Sequence, residues 1–311
     1  MILVLAGGVG GAKLASGLAA ALAPGELVIA VNTGDDFEHL GLHISPDLDT
    51  IMYTLAGIAN PDTGWGQADE TWNFMASLGK LGGETWFNLG DRDLATSVLR
   101  SHLLSRQSLS TVTAEFCRRL GIVHPIVPMS DQPVRTIVDS DEGELNFQDY
   151  FVRRRCRPKV RGLRFEGAEA ARPSPGLEAA LAAPDLAAIV ICPSNPLLSV
   201  APMLALPGMR EAIGAADVPV VAVSPIIAGQ AVKGPAAKLM GELRMPVSCV
   251  GVAEWYGDLL TGFVIDASDA ALAGEMDAKV LVTPILMRCD ADRLRLACEV
   301  VDFAALLGRN G

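Results

Sequence analysis

A loop of four glycines and a lysine near the start of the chain has the composition of a phosphate-binding loop. It follows a short apolar run, Ile2–Ala6, and leads into an alanine-rich helical pattern that begins at Ala12. Glycines let a ligand approach the main chain closely, and the free N–H groups at a helix start favour an anion. The spacing fits neither the P-loop nor the GxGxxG motif. Tight strand–helix packing would also use glycines, but we expect phosphate contacts from Gly7, Gly8, Gly10, Gly11 and Lys13.

Four aspartates follow in two short segments. Asp35 and Asp36 come after the apolar run Leu27–Asn32. Asp47 and Asp49 lie just before a helical pattern. Carboxylates this close repel one another unless a cation or a proton relieves them, and Mg²⁺ prefers oxygen ligands. The acids therefore indicate a Mg²⁺ site, with Asp36 and Asp49 as predicted ligands and Asp49 as the predicted catalytic carboxylate. The alternative is that Asp47 or Asp49 simply caps the helix.

Later polar loops add groups that bind phosphate or ribose. Two of them follow the apolar runs Ala187–Cys192 and Val218–Val223, at the edge where ligands collect in parallel α/β sheets. Turn formation alone also uses such residues, but together the loops indicate a nucleotide or diphosphate ligand. A further segment, Trp86–Asp93, is interpreted either as a local acid–arginine network or as a polar wall over the ligand. The predicted contacts in the loops are Ser194, Asn195, Ser224, Gly229 and Lys233.

Composition narrows the classes of protein to which the chain can belong. The 311 residues carry a net charge of −11, half are hydrophobic and 20% are charged. These values exclude a disordered chain and argue against a nucleic-acid binder. Six cysteines and four histidines form no CxxC or Cys/His cluster, so neither a zinc site nor a disulfide framework is expected. The apolar start lacks a basic region and contains glycines, which favours a strand, loop and helix over a signal peptide. No apolar run reaches about 18 residues, and we expect a cytoplasmic protein without a membrane partner.

Apolar runs alternate with helical patterns along the chain, which predicts an α/β fold. We expect one domain over residues 1–311, a Rossmann-like, mostly parallel sheet with helices on both faces. Residues 50–120 are mostly helical in pattern and predict an insertion or cap subdomain. Val134–Val152 alternates around a turn and predicts an antiparallel β-hairpin at a sheet edge or in a dimer contact. Val247–Val250 is predicted as a further strand. The basic run Arg153–Arg161 is interpreted as a solvated face, or as a contact with an anion or a partner subunit.

Taken in order, these segments resemble the 2-phospho-L-lactate transferase family of coenzyme F-420 biosynthesis. The resemblance covers nearly the whole chain and rests on LAGGVGGAKL, VNTGDD, SPDLDT, LGDRDLAT, PMSDQPV, PSNP and SPIIAGQAVKGPAAKL. It implies a Rossmann-like homodimer that requires Mg²⁺. Such an enzyme moves a phospholactyl-type group from a guanosine diphospho-linked donor to the terminal ribityl hydroxyl of the deazaflavin Fo and releases GMP. The resemblance also implies that Asp49 and Asn88 contact Fo, that Gly7–Gly11 hold donor phosphate, and that Lys233 neutralises the diphosphate.

Two other function classes stay open at this point. A sugar-nucleotide-binding regulator without transferase activity is the alternative within the same superfamily, although SPDLDT and LGDRD speak against it. A nicotinamide dehydrogenase is suggested by the fold pattern alone, and the incomplete GxGxxG motif argues against it. The acid of the donor is open as well, because phospholactate, phosphoenolpyruvate and phosphoglycerate differ by few atoms. Replacing Asp49 with alanine is expected to reduce turnover sharply and to leave the fold intact.

Overall fold

The computed structural model describes residues 1–309. In it, short apolar runs form the strands, and longer segments form the helices. The strands are β1 (Ile2–Ala6), β2 (Leu27–Val31), β3 (Phe37–His39), β4 (Leu42–Ile44), β5 (Ile126–Pro128), β6 (Arg135–Ser140), β7 (Gly143–Asn146), β8 (Val160–Glu166), β9 (Ala188–Ile191), β10 (Val220–Val223), β11 (Ile226–Ile227), β12 (Gln230–Ala231), β13 (Gly262–Ile265) and β14 (Lys279–Val282). The α-helices are α1 (Gly8–Ala21), α2 (Pro46–Leu55), α3 (Asn73–Lys80), α4 (Asp91–Leu104), α5 (Leu109–Arg119), α6 (Pro175–Leu181), α7 (Ala201–Leu204), α8 (Met209–Ala215), α9 (Ala236–Glu242), α10 (Cys249–Tyr256) and α11 (Asp290–Gly308). Among the described residues, no helix has the length and apolar character needed to cross a membrane.

A seven-stranded sheet joins both halves of the chain. Its order is β14-β13-β10-β9-β1-β2-β5, and every neighbouring pair is parallel. The chain starts at the centre with β1, adds strands on one side, and then crosses to add β9 and the later strands on the other side. This order is that of a doubly wound, Rossmann-like sheet. The predicted fold class is confirmed.

The central strand contributes side chains to an apolar core on each face of the sheet. Leu3 and Leu5 pack into the core formed with α6 to α10, whereas Val4 packs with α1, α2, α5 and α11. A parallel sheet covered on both faces needs apolar residues at successive positions, as β1 has. The helices α1 and α11 approach closely, because a Cβ at Gly17 would lie 2.2 Å from the carbonyl oxygen of Arg293. Two helical layers therefore hold β1, and the loop that follows it, in a fixed position.

Between β2 and β5 the chain leaves the sheet to form a mainly helical segment. It begins with the antiparallel ribbon β3–β4 and continues through α2, α3, α4 and α5. Ile44, Met75 and Leu89 form a small core of their own, against which Phe37 and Phe87 pack. The stretch predicted as a helical insertion is mainly helical, but the sequence analysis did not find the β3–β4 ribbon. This segment faces the loops at one edge of the main sheet.

The predicted β-hairpin is confirmed as β6–β7, and β8 adds a third strand. The order is β7-β6-β8, all antiparallel, in a sheet that is separate from the main one. The basic run Arg153–Arg161 lies before and at the start of β8. Within it, Arg153 forms an ion pair with Glu84, and Arg154 forms ion pairs with Glu142 and Asp149. These pairs are at the protein surface, as expected for a solvated face.

Two element predictions differ from the structure for local reasons. The first helix begins at Gly8, inside the glycine loop, rather than at Ala12. The predicted strand Val247–Val250 is wrong, because this segment enters helix α10. There the Ser248 side chain accepts a hydrogen bond from the Gly251 amide at 3.1 Å, which is an N-cap interaction.

Candidate active site

A cavity of about 780 Å³ lies at the carboxyl ends of β1, β9 and β10. Residues 7–10 after β1, residues 193–195 after β9 and Ser224 after β10 line it. The strand order reverses between β1 and β9, and ligands of open α/β sheets bind in the crevice at such a reversal. The helical segment supplies the facing wall, including Asn88 and Asp93. The volume is within the range of small-molecule sites.

The glycine loop forms the first turn of α1, so the N-terminus of this helix borders the cavity. Gly8 has a φ of +64°, a left-handed conformation that favours glycine. Its amide donates a hydrogen bond to Asp47 Oδ1 at 2.8 Å. The amides of Val9 and Gly10 belong to the same first turn, where helical N–H groups have no partner within the helix. Both residues line the cavity, which gives the site the anion-binding end of a helix dipole.

Close packing accounts for the glycines at positions 10 and 11 of this loop. A Cβ at Gly10 would lie 2.4 Å from the carbonyl oxygen of Pro193, so the loops after β1 and β9 touch here. Gly11 turns away from the cavity, and a Cβ there would lie 2.8 Å from Ser194 Oγ. Gly11, one of the predicted phosphate contacts, is therefore outside the cavity lining and serves the packing of α1. Gly7, Gly8 and Gly10 are in the lining.

The loop after β9 is tied to the glycine loop by a serine and presents an unpaired amide. Ser194 Oγ accepts from the Gly7 amide at 3.1 Å and donates to the Gly7 carbonyl oxygen at 2.8 Å. Asn195 Oδ1 accepts from the Leu197 amide at 3.0 Å. Its Nδ2 is buried and has no hydrogen-bond acceptor within residues 1–309. Asn195 lines the cavity, so this unpaired donor lies in a residue beside the ligand space.

The loop after β10 contributes one main-chain turn and one lysine. Ser224 lines the cavity, but its hydroxyl donates to the Ile226 carbonyl oxygen at 2.9 Å and so shapes the turn. Gly229, at a φ of +73°, lies in the turn between β11 and β12 and is outside the cavity lining. Lys233 is in the lining, and its Nζ donates to the Thr63 carbonyl oxygen at 3.2 Å. This contact joins the loop to the helical segment across the cavity.

Positive charge collects beside the glycine loop. Lys13, Lys233 and Arg288 all line the cavity. Lys13 Nζ donates to the Met287 carbonyl oxygen at 2.8 Å. Burial, together with the charges of Arg293 and Lys233, lowers the pKa of Lys13. An anion bound here would relieve the repulsion among these cations, so this end of the cavity is suited to phosphate.

Two buried carboxylates that line the cavity lie next to the glycine loop. Asp47 accepts hydrogen bonds from the Gly8 amide and from Asn32 Nδ2, at 2.8 and 2.9 Å. Burial nevertheless raises its pKa to about 6. Asp35 Oδ1 is buried and has no partner in the described part of the chain. Burial, reinforced by the charges of Asp47 and Asp36, raises the pKa of Asp35 well above its usual range.

The two predicted metal ligands, Asp36 and Asp49, have other partners. Asp36 Oδ2 accepts from Ser45 Oγ at 2.7 Å and lies 3.0 Å from His43 Nε2, and the residue is outside the cavity lining. Asp49 lines the cavity, but Arg100 donates to both of its carboxylate oxygens. Arg100 and Asp49 are both buried. Burial raises the pKa of Asp49, although Arg100 opposes the shift. Neither Asp47 nor Asp49 caps α2, because Ser45 occupies that position.

The Trp86–Asp93 segment ends with a carboxylate that opens onto the cavity. Asn88 is exposed and lines the cavity, as does Asp93 in the first turn of α4. Glu70 fixes this turn by accepting hydrogen bonds from the Asp93 and Arg92 amides, both at 2.8 Å. Asp93 Oδ1 accepts from the hydroxyl of Tyr53 at 2.8 Å. The segment is therefore a polar wall of the cavity.

Aromatic rings form the remaining wall on the side of the helical segment. Trp65, Phe87, Phe147 and Phe151 line the cavity. Phe147 and Phe151 stack with ring centroids 5.3 Å apart, and Phe87 packs edge-on against Phe37 at 4.8 Å. Planar aromatic ligands bind by stacking on such rings. The cavity thus combines cationic groups suited to phosphate, aromatic rings and buried acids.

Most of the loops that line the cavity were predicted from the sequence, but several of the lining residues were not. The aromatic residues of the wall and Arg288 carried no pattern that marked them. Asp35, Asp47 and Asp93 lay in segments that the sequence analysis singled out, but it did not select them. Arg100 was missed because the helical pattern of α4 gives no sign that one position faces an acid. In residues 1–309, no three His, Cys, Asp or Glu side chains form a metal-binding group by themselves.

Comparison with known proteins agrees with the fold and the motifs. The model of the family 2-phospho-L-lactate transferase CofD matches residues 2–302. The chain is 41% identical over 297 residues to a phosphoenolpyruvate transferase of Kitasatospora aureofaciens, with 92% of each chain covered. It is 40% identical over 303 residues to a 2-phospho-L-lactate transferase of Methanopyrus kandleri, with 96% of each covered.

A solved structure of low sequence identity has the same fold. A protein of the UPF0052 family from Bacillus halodurans aligns with a TM-score of 0.62 and 16% identity, over 96% of this chain and 99% of the other. This likeness supports the architecture and says nothing about activity. The family model and the relatives above cover nearly all of the chain, including every loop that lines the cavity. The chain belongs to the 2-phospho-L-lactate transferase (CofD) family.

Proposed function

We propose that this protein transfers a phospholactyl-type group to the terminal ribityl hydroxyl of the deazaflavin Fo. In the donor, a diphosphate links guanosine to lactate, enolpyruvate or glycerate, and GMP is the leaving group. Family membership makes the chain a transferase of phosphoenolpyruvyl or phospholactyl groups in coenzyme F-420 biosynthesis. The proposal adds to this the identity of the acceptor and of the leaving nucleotide.

One observation carries this proposal: a single cavity combines phosphate-binding groups with aromatic rings and buried acids. The α1 N-terminus, Lys13 and Lys233 are the phosphate-binding groups. Phosphoryl transfer depends mainly on holding donor and acceptor in line and on offsetting charge. A cavity that suits both a diphosphate and a planar polyol-bearing ring supplies that placement.

The donor binds at the glycine loop in this proposal. The diphosphate contacts the Val9 and Gly10 amides, Lys13 and Lys233. Its negative charge offsets both the burial and the neighbouring cations that lower the pKa of Lys13. The buried Nδ2 of Asn195 gains an oxygen acceptor from the nucleotide. Burial of an unpaired amide is costly, so this contact favours a ligand with an oxygen at that position.

The acceptor binds against the aromatic wall. The deazaflavin ring stacks on Trp65 or Phe151 and its ribityl chain runs past Asn88 towards the acids. Asn88 can hydrogen-bond a hydroxyl but brings no charge. Asp49 contributes a fixed negative charge near the acceptor, since Arg100 holds both of its oxygens.

The residues of the site fit a Mg²⁺ ion, although at other positions than the sequence predicted. Mg²⁺ is commonly held by one or two carboxylates together with substrate phosphates and water. Asp35, with its unpartnered buried oxygen, and Asp47 lie beside the glycine loop, where a diphosphate would complete the coordination. We therefore assign the role to Asp35 and Asp47 and not to Asp36 and Asp49. When bound, Mg²⁺ offsets negative charge on the phosphoryl oxygens.

The regulator and dehydrogenase alternatives have less support. The matched family and the relatives cited above are all transferases by name, and α1 starts without the GxGxxG arrangement of a dinucleotide site. A cytoplasmic homodimer belongs to the proposal on the strength of the family resemblance. Size-exclusion chromatography with light scattering measures the oligomeric state directly.

A competition assay tests the proposed reaction. The protein, Fo, Mg²⁺ and an equimolar mixture of the three guanylated donors are incubated, and GMP and the deazaflavin product are identified by mass spectrometry. We expect GMP in equal amount to a more anionic deazaflavin whose mass identifies the preferred acid. Neither product appearing with verified donors would reject the proposal.

A pair of tryptophan variants tests the acceptor end of the cavity. Trp65 and Trp72 are 43% and 44% exposed, but only Trp65 lines the cavity within the described residues. Trp65→Ala should weaken Fo binding about tenfold, as loss of a stacking surface worth about 1.4 kcal/mol would do. Trp72→Ala is the matched control and should leave Fo affinity unchanged. Equal effects of the two substitutions would place the acceptor elsewhere.

A further inference from the structure

The acid that receives the proton of the attacking hydroxyl can be chosen from the geometry of the cavity. We propose that Asp93 is this general base. The sequence analysis selected Asp49 as the catalytic carboxylate and left open which aspartate acts as the base. The inference deepens the proposed transfer to an alcohol and rests on it. Four buried or half-buried acids line the cavity, and their hydrogen bonds assign them different roles: Asp35, Asp47, Asp49 and Asp93.

Both carboxylate oxygens of Asp49 accept hydrogen bonds from one arginine. Arg100 Nη1 donates to Asp49 Oδ2 at 3.0 Å, and Nη2 donates to Oδ1. Both side chains are almost completely buried, with 1% of Arg100 and 6% of Asp49 exposed. Protonation of Asp49 would break both charge-assisted hydrogen bonds from Arg100, so this ion pair opposes a role as the base even though burial raises the pKa of Asp49. Asp49 is therefore an anchor of fixed charge.

Asp35 and Asp47 belong to the donor end of the cavity. Asp47 accepts from the first amide of α1, and its charge acts on Asp35. A cation shared with the donor's phosphates satisfies both acids. The base must instead lie on the acceptor side, within reach of a hydroxyl that approaches the phosphorus from the aromatic wall.

Asp93 has the required position and one open oxygen. It lies on the helical segment together with Asn88 and Phe87, which also line the cavity. Tyr53 donates to Asp93 Oδ1 at 2.8 Å, and Glu70 fixes the Asp93 main chain by accepting from its amide at 2.8 Å. Among residues 1–309, no side chain or amide donates to Asp93 Oδ2. One oxygen thus orients the carboxylate and the other can accept a hydrogen bond from a ligand.

The charges around Asp93 adjust its basicity. Burial and the charge of Asp49 raise the pKa of Asp93 to about 7, with a smaller contribution from Glu70 in the same direction. The hydrogen bond from Tyr53 and the charge of Arg100 oppose this shift. Burial raises the pKa of Tyr53 as well, so its hydroxyl keeps the proton that it donates. A base that titrates near neutral pH can accept a proton during the reaction and release it afterwards.

The step balances as a single displacement. The ribityl oxygen forms a bond to the phosphorus that carries the hydroxy acid, and the bond from that phosphorus to the bridging oxygen of GMP breaks. The bridging oxygen leaves with the electron pair as part of the GMP phosphate. The hydroxyl proton passes to Asp93 Oδ2, and the neutral Asp93 later returns it to solvent.

Asp93→Asn tests the assignment with little change in shape. Asparagine Oδ1 still accepts from Tyr53, but the amide nitrogen cannot take a proton. We expect kcat to fall on the order of 10²-fold or more at pH 7.5, with less than a threefold change in the KM for Fo. The wild-type kcat should rise with pH through neutrality, since the base must be ionised, and the variant should lack this rise. Asp69→Asn, on the exposed loop outside the cavity, is the matched control and should keep wild-type kinetics.

A second variant separates basicity from structure. Tyr53→Phe removes the hydrogen bond that lowers the pKa of Asp93, so the rise of kcat should move to higher pH while the maximal rate is largely kept. An unchanged pH profile and a kcat within threefold of wild type in Asp93→Asn would overturn the assignment while the proposed reaction stands. A wild-type protein that releases no GMP in the presence of Fo would overturn the reaction and the assignment together.

Discussion

Removing the carboxylate of Asp49 should lower the stability of the protein as well as its turnover. Arg100 is 1% exposed. Both Nη1 and Nη2 of its guanidinium donate hydrogen bonds to Asp49. Its other neighbour, the ring of Phe116 with a centroid 5.9 Å away, accepts no conventional hydrogen bond. Asp49→Ala would therefore leave a buried cation without its partner. The variant should therefore be less stable than the wild type, whereas the sequence analysis expected an effect on turnover alone.

The size of the effect follows from the burial of the pair. Breaking a buried ion pair by removing one partner costs about 3–5 kcal/mol. Part of this loss is offset, because Asp49 also repels Asp36 and Asp93. A net loss of about 2–4 kcal/mol remains, against a total stability of about 5–15 kcal/mol for a typical domain. The variant should be measurably destabilised and still partly folded at 25 °C.

Equilibrium urea unfolding, followed by far-UV circular dichroism, measures this free energy. The double variant Asp49→Leu/Arg100→Met removes both charges and should regain most of the lost stability, since no unpaired charge is left. Glu115→Gln breaks exposed ion pairs with Arg118 and Arg119 and should change stability little. An Asp49→Ala midpoint equal to that of the wild type would refute the reasoning. A double variant less stable than Asp49→Ala would refute it as well.

Three further predictions concern the rest of the cavity. Gly10→Ala should lower Tm and weaken GDP binding at least tenfold, because its Cβ would lie 2.4 Å from a backbone oxygen, whereas Gly214→Ala, with open space in α8, should be neutral or slightly stabilising. Equal Tm values for the two glycine variants would count against the close loop contact. Lys233→Ala should weaken GDP binding about tenfold in calorimetry, and Lys279→Ala, outside the cavity, should not. Folding raises the pKa of Asp93 from 3.8 to about 7, so the native state binds the proton more tightly and loses stability as pH rises through 7. In Asp93→Asn the loss of unfolding free energy between pH 5.5 and pH 8.5 should be smaller by about 2 kcal/mol, because about 1.5 pH units of this range lie below the folded-state pKa and each unit is worth about 1.4 kcal/mol. Equal pH dependence of the two proteins would contradict the raised pKa.

The fold was predictable because its signals are local. Each parallel strand is a short apolar run with a glycine, proline or serine within the next three residues, and each gap is long enough for a crossover helix. The error at Val247–Val250 came from the same kind of signal, since a short apolar run suits a strand and a buried helix equally. Ser248 is the N-cap that would have decided for the helix. The ribbon β3–β4 was missed because three-residue strands are too short to show alternation.

The sequence predicted which loops form the site, but not which side chains of those loops line the cavity. Gly10 lines the cavity and Gly11 does not, because the helix already begins at Gly8 and each residue then turns by about 100°. Asp35 lines the cavity while its neighbour Asp36 bonds His43 and Ser45. Spacing alone placed both acids at the correct sheet edge but did not separate them.

The sequence does not show which side chain pairs with each acid, and this pairing decides the role of the acid. Arg100 is 51 residues from Asp49 along the chain, and a helix face presents it. With this partner, Asp49 stabilises the fold. Asp35 and Asp93 have no cation in ion-pair contact within residues 1–309, and burial raises the pKa of both. Their charged forms therefore oppose folding, and that opposition is relieved by a bound cation at Asp35 and by a proton at Asp93. Asp35 and Asp93, whose charged forms oppose folding, are thus the acids that bind the cation and accept the proton in the proposed reaction.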